Sequence, residues 1–187
     1  MSVKVIDKKT IWEGRFLRTV ILTYRDHLGT LRTWEAVERV NCDGITVIVP
    51  VTTNREFILI RQFRPVLDSY VIEFPAGLNN TGESGENTAA RELIEETGFA
   101  GGRFIKLADG PVSSGMSTEI LTVFLALDAV PATDAQRRRN PPDEGESIEI
   151  IRTPVEKIFE TIEKFRSKGD MVDLKVYGIV ELARSQL

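Results

Sequence analysis

Five glutamates fall between residues 77 and 99, in the stretch GLNNTGESGENTAARELIEETGF. Glu86 to Thr97 has helix-forming composition, with Ser84 as its N-cap and Gly98 as the residue that ends it. At about 100° per residue, Glu92, Glu95 and Glu96 share one face, and Ala89, Ala90, Leu93, Ile94 and Thr97 share the other. Arg91 stands beside Glu95. Exposed helices often carry many glutamates. Here, however, like charges repel at three- and four-residue spacing, and Glu95 and Glu96 lie at the negative end of the helix dipole. A divalent cation would turn both penalties into attraction, because hard carboxylate oxygens at i and i+4 suit Mg²⁺ or Mn²⁺ with water and phosphate completing the shell. From spacing alone, a metal site and a solvated acidic face are equally supported.

The rest of the chain must position that helix. It has 187 residues, 42% hydrophobic and 28% charged, enough apolar material for one filled core. The net charge of −4 offers no global attraction to nucleic acid or to an anionic membrane, so an anionic substrate would need a local cation. With one cysteine, Cys42, no internal disulfide can form. The first ten residues lack the apolar run of a secretory signal, and no run approaches membrane-spanning length. A cytoplasmic protein is expected. His27 in a turn and Cys42 have no partner motif, so no nucleophilic machinery is expected.

The first forty residues are strand-like. Arg15 to Tyr24 and Thr30 to Arg39 form a hairpin pattern around Asp26-His27-Leu28-Gly29, and Asn41 to Gly44 marks a seam. Strands are predicted at 45–51, 57–60, 70–74, 104–107, 120–127 and 148–151, and helices at 155–165 and 172–184. Strands with interspersed helices predict an α/β fold with a mixed sheet flanked by helices. A division at the seam gives an N-terminal β hairpin segment, 1–43, and a second domain, 44–187.

The full stretch, Gly77, Glu83, Arg91-Glu92-Leu93, Glu95-Glu96 and Gly98-Phe99 at their spacings, resembles the Nudix box. The resemblance to the Nudix hydrolases implies an α/β/α sandwich, and Mg²⁺-dependent hydrolysis of a diphosphate linked to another moiety. It matches Glu92, Glu95 and Glu96 to metal ligands and Arg91 to the arginine that orients them. Glu83 corresponds to the upstream acid that supports the loop, and the Ala76 carbonyl to a further metal ligand. Gln62-Phe63-Arg64-Pro65, Ile72 to Gly77 and Arg32 to Val37 are similar to the ADP-ribose pyrophosphatase branch, whose products are AMP and ribose 5-phosphate. In that branch the N-terminal strands are exchanged in a homodimer. Phe16 and Trp34 correspond to the aromatics that sandwich the adenine, a role suited to large flat rings. Phe16 is also readable as a plain hairpin core residue. Arg39 and Arg64 correspond to arginines on phosphate or ribose, for which the guanidinium fork is suited, and Glu73 to a position near the substrate. Glu146 is the best match to the catalytic base, with Asp143, Glu144 and Glu149 as rivals. A carboxylate beside a metal-bound water can deprotonate it near neutral pH. Arg137 to Arg139 read as a solvated charge cluster. One departure loosens the substrate: Ser114 stands where ADP-ribose members commonly carry proline, although Gly115 and Glu119 are kept. Two alternatives stay open, a broader nucleoside diphosphate sugar hydrolase acting for example on GDP-mannose, and a sensor that binds ADP-ribose without cleaving it.

Overall fold

The computed structural model describes residues 2–142, 144–145 and 147–187. In chain order the strands are β1 (Lys4–Glu13), β2 (Leu17–Arg25), β3 (Leu31–Arg39), β4 (Ile45–Thr52), β5 (Glu56–Arg64), β6 (Ser69–Glu73), β7 (Ala76–Leu78), β8 (Phe99–Ala100), β9 (Arg103–Pro111), β10 (Ile120–Pro131), β11 (Ile148–Pro154) and β12 (Met171–Val172). The helices are α1 (Gly85–Thr97), α2 (Asp134–Arg139), α3 (Ile158–Arg166) and α4 (Lys175–Arg184). The strands form two sheets, β1-β2-β3 and a mixed sheet in which β12-β6-β5-β4-β10-β8 run side by side, with β7 on β4, β9 on β10 and β11 on β5. β4 pairs with β10 in parallel, Ile45 opposite Leu121.

β4 is a run of β-branched residues buried from Thr46 to Thr52, and period-2 alternation sends its side chains to opposite faces. Val47, Val49 and Val51 pack on one side with Ile158 and Ile162 of α3 and Val176, Ile179 and Val180 of α4. Ile48 packs on the other with Ala89 and Leu93 of α1, together with Phe124 and Ala126 of β10. Two helical layers thus enclose the mixed sheet, as the expected α/β/α sandwich requires. Pro50 sits in the middle of this buried strand, where a missing N–H would ordinarily break the ladder. β4 pairs with β7 only over Ile45–Val47 and with β5 only at Val51, so the prolyl nitrogen falls between two partners. Opposite it, β10 carries a register shift between Ala126 and Ala129, with Asp128 at φ 54°, a bulge that bends the strand.

The N-terminal sheet is built differently. Every residue of β1 is exposed, and Trp12, Phe16, Leu31 and Trp34 all present large apolar area to solvent. It joins the body through β3. The Val37 N–H donates to the Met116 carbonyl at 2.8 Å, and its carbonyl accepts from Thr118 at 3.2 Å.

Candidate active site

α1 begins where its sequence signals place it. The Ser84 hydroxyl accepts from the Asn87 N–H at 3.2 Å, and Gly98 closes the helix at φ 68° with its N–H on the Ile94 carbonyl. Thr88, Ala89, Leu93, Ile94 and Thr97 are buried. Glu92, Glu95 and Glu96 face a cleft of about 710 Å³, lined also by Arg39, Arg64, Glu73, Ala76 and Gly77. The core face holds the helix and the acidic face lines the cavity.

Arg91 ties this face together. Its Nη1 donates to Glu92 Oε1 at 2.7 Å and to Glu95 Oε2 at 2.8 Å. Its Nε and Nη2 each donate to Glu83 at 3.1 Å, and Nη2 also reaches the Leu78 carbonyl at 3.2 Å. Hydrogen bonding to Glu83 raises the Arg91 pKa above its already high value, and the same bond holds the Glu83 carboxyl below the usual carboxylate range. Glu83 also accepts from the Asn80 N–H and side chain, so one carboxylate pins the loop before α1 to the helix. The Ala76 N–H donates to Glu96 Oε2 at 2.9 Å, which orients that carboxylate against β7. Gly77 is glycine because the backbone must pass close by: a Cβ there would overlap the Glu92 carboxyl.

Three carboxylates (Glu83, Glu92, Glu95) surround one guanidinium, and a fourth, Glu96, is held on the Ala76 N–H. Four minus one leaves three negative charges in this half-buried cluster, two of them on the cleft side, where repulsion is poorly screened. Among the described residues, no three acid, cysteine or histidine side chains converge on a common ion position. Arg91 takes one oxygen each of Glu92 and Glu95, and the Ala76 N–H takes one of Glu96. By type and charge the donor set still fits a hard divalent cation: carboxylates beside the Ala76 backbone, with a charge excess that a cation would offset.

The predicted substrate arginines both reach the cleft, each held by an acid. Arg64 Nε donates to Glu73 Oε1 at 2.7 Å, with Glu73 buried. Arg39 Nε donates to Glu119 Oε1 at 2.6 Å, a partner for which the sequence holds no cue, since the two are eighty positions apart. Phe16 and Trp34 do not reach it. They are 60% and 51% exposed on the N-terminal sheet, and Trp34 Nε1 donates to the Gly115 carbonyl at 2.9 Å. Glu146 and its rival Asp143 lie outside the described residues. Of the other rivals, Glu144 is exposed, and Glu149 pairs with Arg61 at 3.3 Å. Arg137 is exposed with Arg138 and Arg139, as a solvated cluster requires, and it also donates from Nη2 to the Gly98 carbonyl at 3.1 Å and from Nε to the Ala132 carbonyl at 3.2 Å. That places a cation at the negative end of α1, one turn from Glu95 and Glu96, and offsets part of the dipole penalty. Asp173 and Lys175 also line the cleft, with no motif to announce them.

Residues 43–173 match the sequence profile of the NUDIX domain. The chain belongs to the Nudix family. It is 34% identical to an ADP-sugar pyrophosphatase of Mus musculus over 93% of this chain and 84% of that protein. It is 30% identical to an ADP-ribose pyrophosphatase of Bacillus subtilis, over 87% and 84%, and 31% identical to a GDP-mannose pyrophosphatase of an Enterobacter species, over 87% and 86%. In three dimensions it superposes on the crystal structure of an ADP compounds hydrolase with a TM-score of 0.81, covering 100% of this chain and 95% of that one at 22% identity, a likeness of fold. Nudix hydrolases in general need a divalent metal. The described chain contains no helix long and apolar enough to cross a membrane.

Proposed function

We propose that this Nudix protein hydrolyses the diphosphate bond of ADP-ribose to AMP and ribose 5-phosphate with Mg²⁺, Mn²⁺ being able to replace it. The observation that carries the reading is the cleft itself: three carboxylates and one arginine of α1, a surplus of two negative charges, share one cavity with Arg39 and Arg64. A carboxylate wall alone would repel a diphosphate, and arginines alone would bind one without cleaving it. The two together suit a substrate whose phosphates meet guanidinium on one side and a carboxylate-held cation on the other. Glu92, Glu95 and Glu96, with the Ala76 carbonyl, would hold the metal, which supplies charge neutralisation and a more acidic bound water when present. Arg91 keeps Glu92 and Glu95 on the cleft side of the helix. Glu73 holds the Arg64 fork in place, and Glu119 does the same for Arg39. Glu146 is assigned the role of accepting the proton of the attacking water.

Phe16 and Trp34 are assigned to the adenine. Because both lie away from this chain's own cleft, that role needs a second subunit. We therefore take 1–43 as a dimerisation and base-binding segment exchanged in a homodimer, and 44–187 as the catalytic domain. The exposed apolar side chains of the N-terminal sheet support this. A single cysteine suits the reducing cytoplasm. The experiment is turnover of ADP-ribose, GDP-mannose, NADH and diadenosine polyphosphates in Mg²⁺ by wild type and Glu96→Gln. ADP-ribose is expected as the best substrate, with metal-dependent turnover lost in the variant and the fold intact by circular dichroism. Retained turnover in Glu96→Gln refutes the metal role. GDP-mannose as the best substrate would shift the reading to the broader sugar-nucleotide hydrolase.

A further inference from the structure

The wall of the cleft at the start of α4 holds an ion pair with no part in the reading above. Val172 of β12 lies beside Ile72 of β6 in parallel register, so Asp173 emerges next to Glu73. Asp173 is fixed four ways. Its N–H donates to the Ile72 carbonyl at 3.0 Å, and its own carbonyl accepts from Val176 at 3.0 Å. Its Oδ1 caps the Lys175 N–H at 2.9 Å, and its Oδ2 pairs with Lys175 Nζ at 2.5 Å. The cap uses the backbone of Lys175, so the fold does not require the ammonium. The lysine side chain stays 42% exposed while lining the cavity, and such a pair adds little to stability. A donor and an acceptor held side by side match a hydroxyl-bearing group, since each sugar hydroxyl both donates and accepts.

Resting on the function proposed above, we infer that Asp173 and Lys175 form the subsite for the distal sugar of the substrate, Lys175 donating to and Asp173 accepting from its hydroxyls. The placement follows from what occupies the remainder of the cleft. α1 and its glutamates serve the diphosphate, and Arg39 and Arg64 are assigned to its phosphates or to the ribose of the nucleotide. The wall formed by β12 and α4 is left to the half of the substrate that is not nucleotide. Polar sites built for hydroxyls discriminate strongly, because an analogue lacking the hydroxyl leaves them unpaired.

The test compares kcat/KM for ADP-ribose with that for the β-methyl ester of ADP, which keeps nucleotide and diphosphate but has no distal sugar. It uses full-length wild type, Lys175→Met and Asp173→Asn; asparagine keeps the helix cap, and methionine keeps the aliphatic stem. In both variants the preference for ADP-ribose over the methyl ester is expected to fall by about tenfold or more. An unchanged preference, or an equal loss on both compounds, overturns the assignment. If wild type cleaves neither compound, the proposed reaction fails separately, and calorimetric affinities for the same two compounds decide the subsite: a preference unaltered by the substitutions overturns it.

Discussion

Replacing Gly77 with alanine would separate the catalytic geometry from the stability of the fold. The added methyl overlaps the carboxyl carbon, Oε1 and Cγ of Glu92. Gly77 does not have a positive φ, so the backbone accepts alanine without strain and the clash falls on one side chain. The carboxyl carbon and Oε1 would lie 1.8 Å from the new methyl, so to regain a normal separation of about 3.5 Å the Glu92 carboxyl must retreat by roughly 1.7 Å. Its bond from Arg91 at 2.7 Å is then lost or lengthened, which costs about 1–2 kcal/mol after allowing for partial exposure. For a chain of this size that is a fall in Tm of roughly 2–8 °C. The consequence for turnover is larger, since misplacing a positioned group by about 1 Å can reduce rate about 100-fold. The assays are ADP-ribose hydrolysis across a Mg²⁺ titration and thermal unfolding. Gly110→Ala, a site with open space around its Cβ, is the control. If Gly77→Ala keeps kcat/KM within about threefold of wild type, Glu92 is not held where the reaction needs it and the reasoning fails.

Two further outcomes follow from the same geometry. The Glu83 carboxyl is held low by Arg91 and that of Asp170 by Arg61, which donates to both its oxygens at 2.8 and 2.9 Å. A carboxyl with a depressed folded pKa contributes its full stability above the ordinary value of about 4 and loses it as pH falls through the folded value. Urea midpoints should therefore drop between pH 6 and pH 3, and less steeply in Glu83→Gln; an identical pH slope in that variant would contradict the Arg91–Glu83 assignment. Sedimentation velocity should give the mass of a dimer, and a monomer that turns over ADP-ribose would rule out exchange of the N-terminal strands.

What could be read in the sequence was whatever is set locally. Ser84, Gly98 and the apolar spacing of α1 act within one helix, and they place its ends to within a residue. The hairpin around Asp26 to Gly29 is likewise local: the Asp26 carboxylate accepts from the Leu28 and Thr30 N–H groups at 2.9 Å each. α2 was not read from the sequence, although Thr133 and Gln136 have capping-box spacing and form one; its three arginines are exposed, so no apolar face announces the helix. The predicted helix at 172–184 begins three residues early, since Met171–Val172 is drawn into parallel pairing with β6, a partner about a hundred positions away. Arg39 and Glu119, or Asp173 beside Glu73, become neighbours only through strand pairing across the chain, and no window of sequence contains both. Pro50 within β4 is tolerated for the same kind of reason, because its exemption lies in where β5 and β7 stop.

The parallel union of β4 with β10 has a consequence for how the chain reaches its native form. Ile45 must await Leu121, and the two strands together carry core residues of both helical layers. Such long-separation pairing is intrinsically slow. During synthesis the hairpin of β2 and β3 can close soon after it emerges, whereas β4 lacks its parallel partner β10 until more than half the polypeptide has left the ribosome. That interval is when the nascent chain is most exposed to aggregation, and it is where a chaperone would have the most to protect.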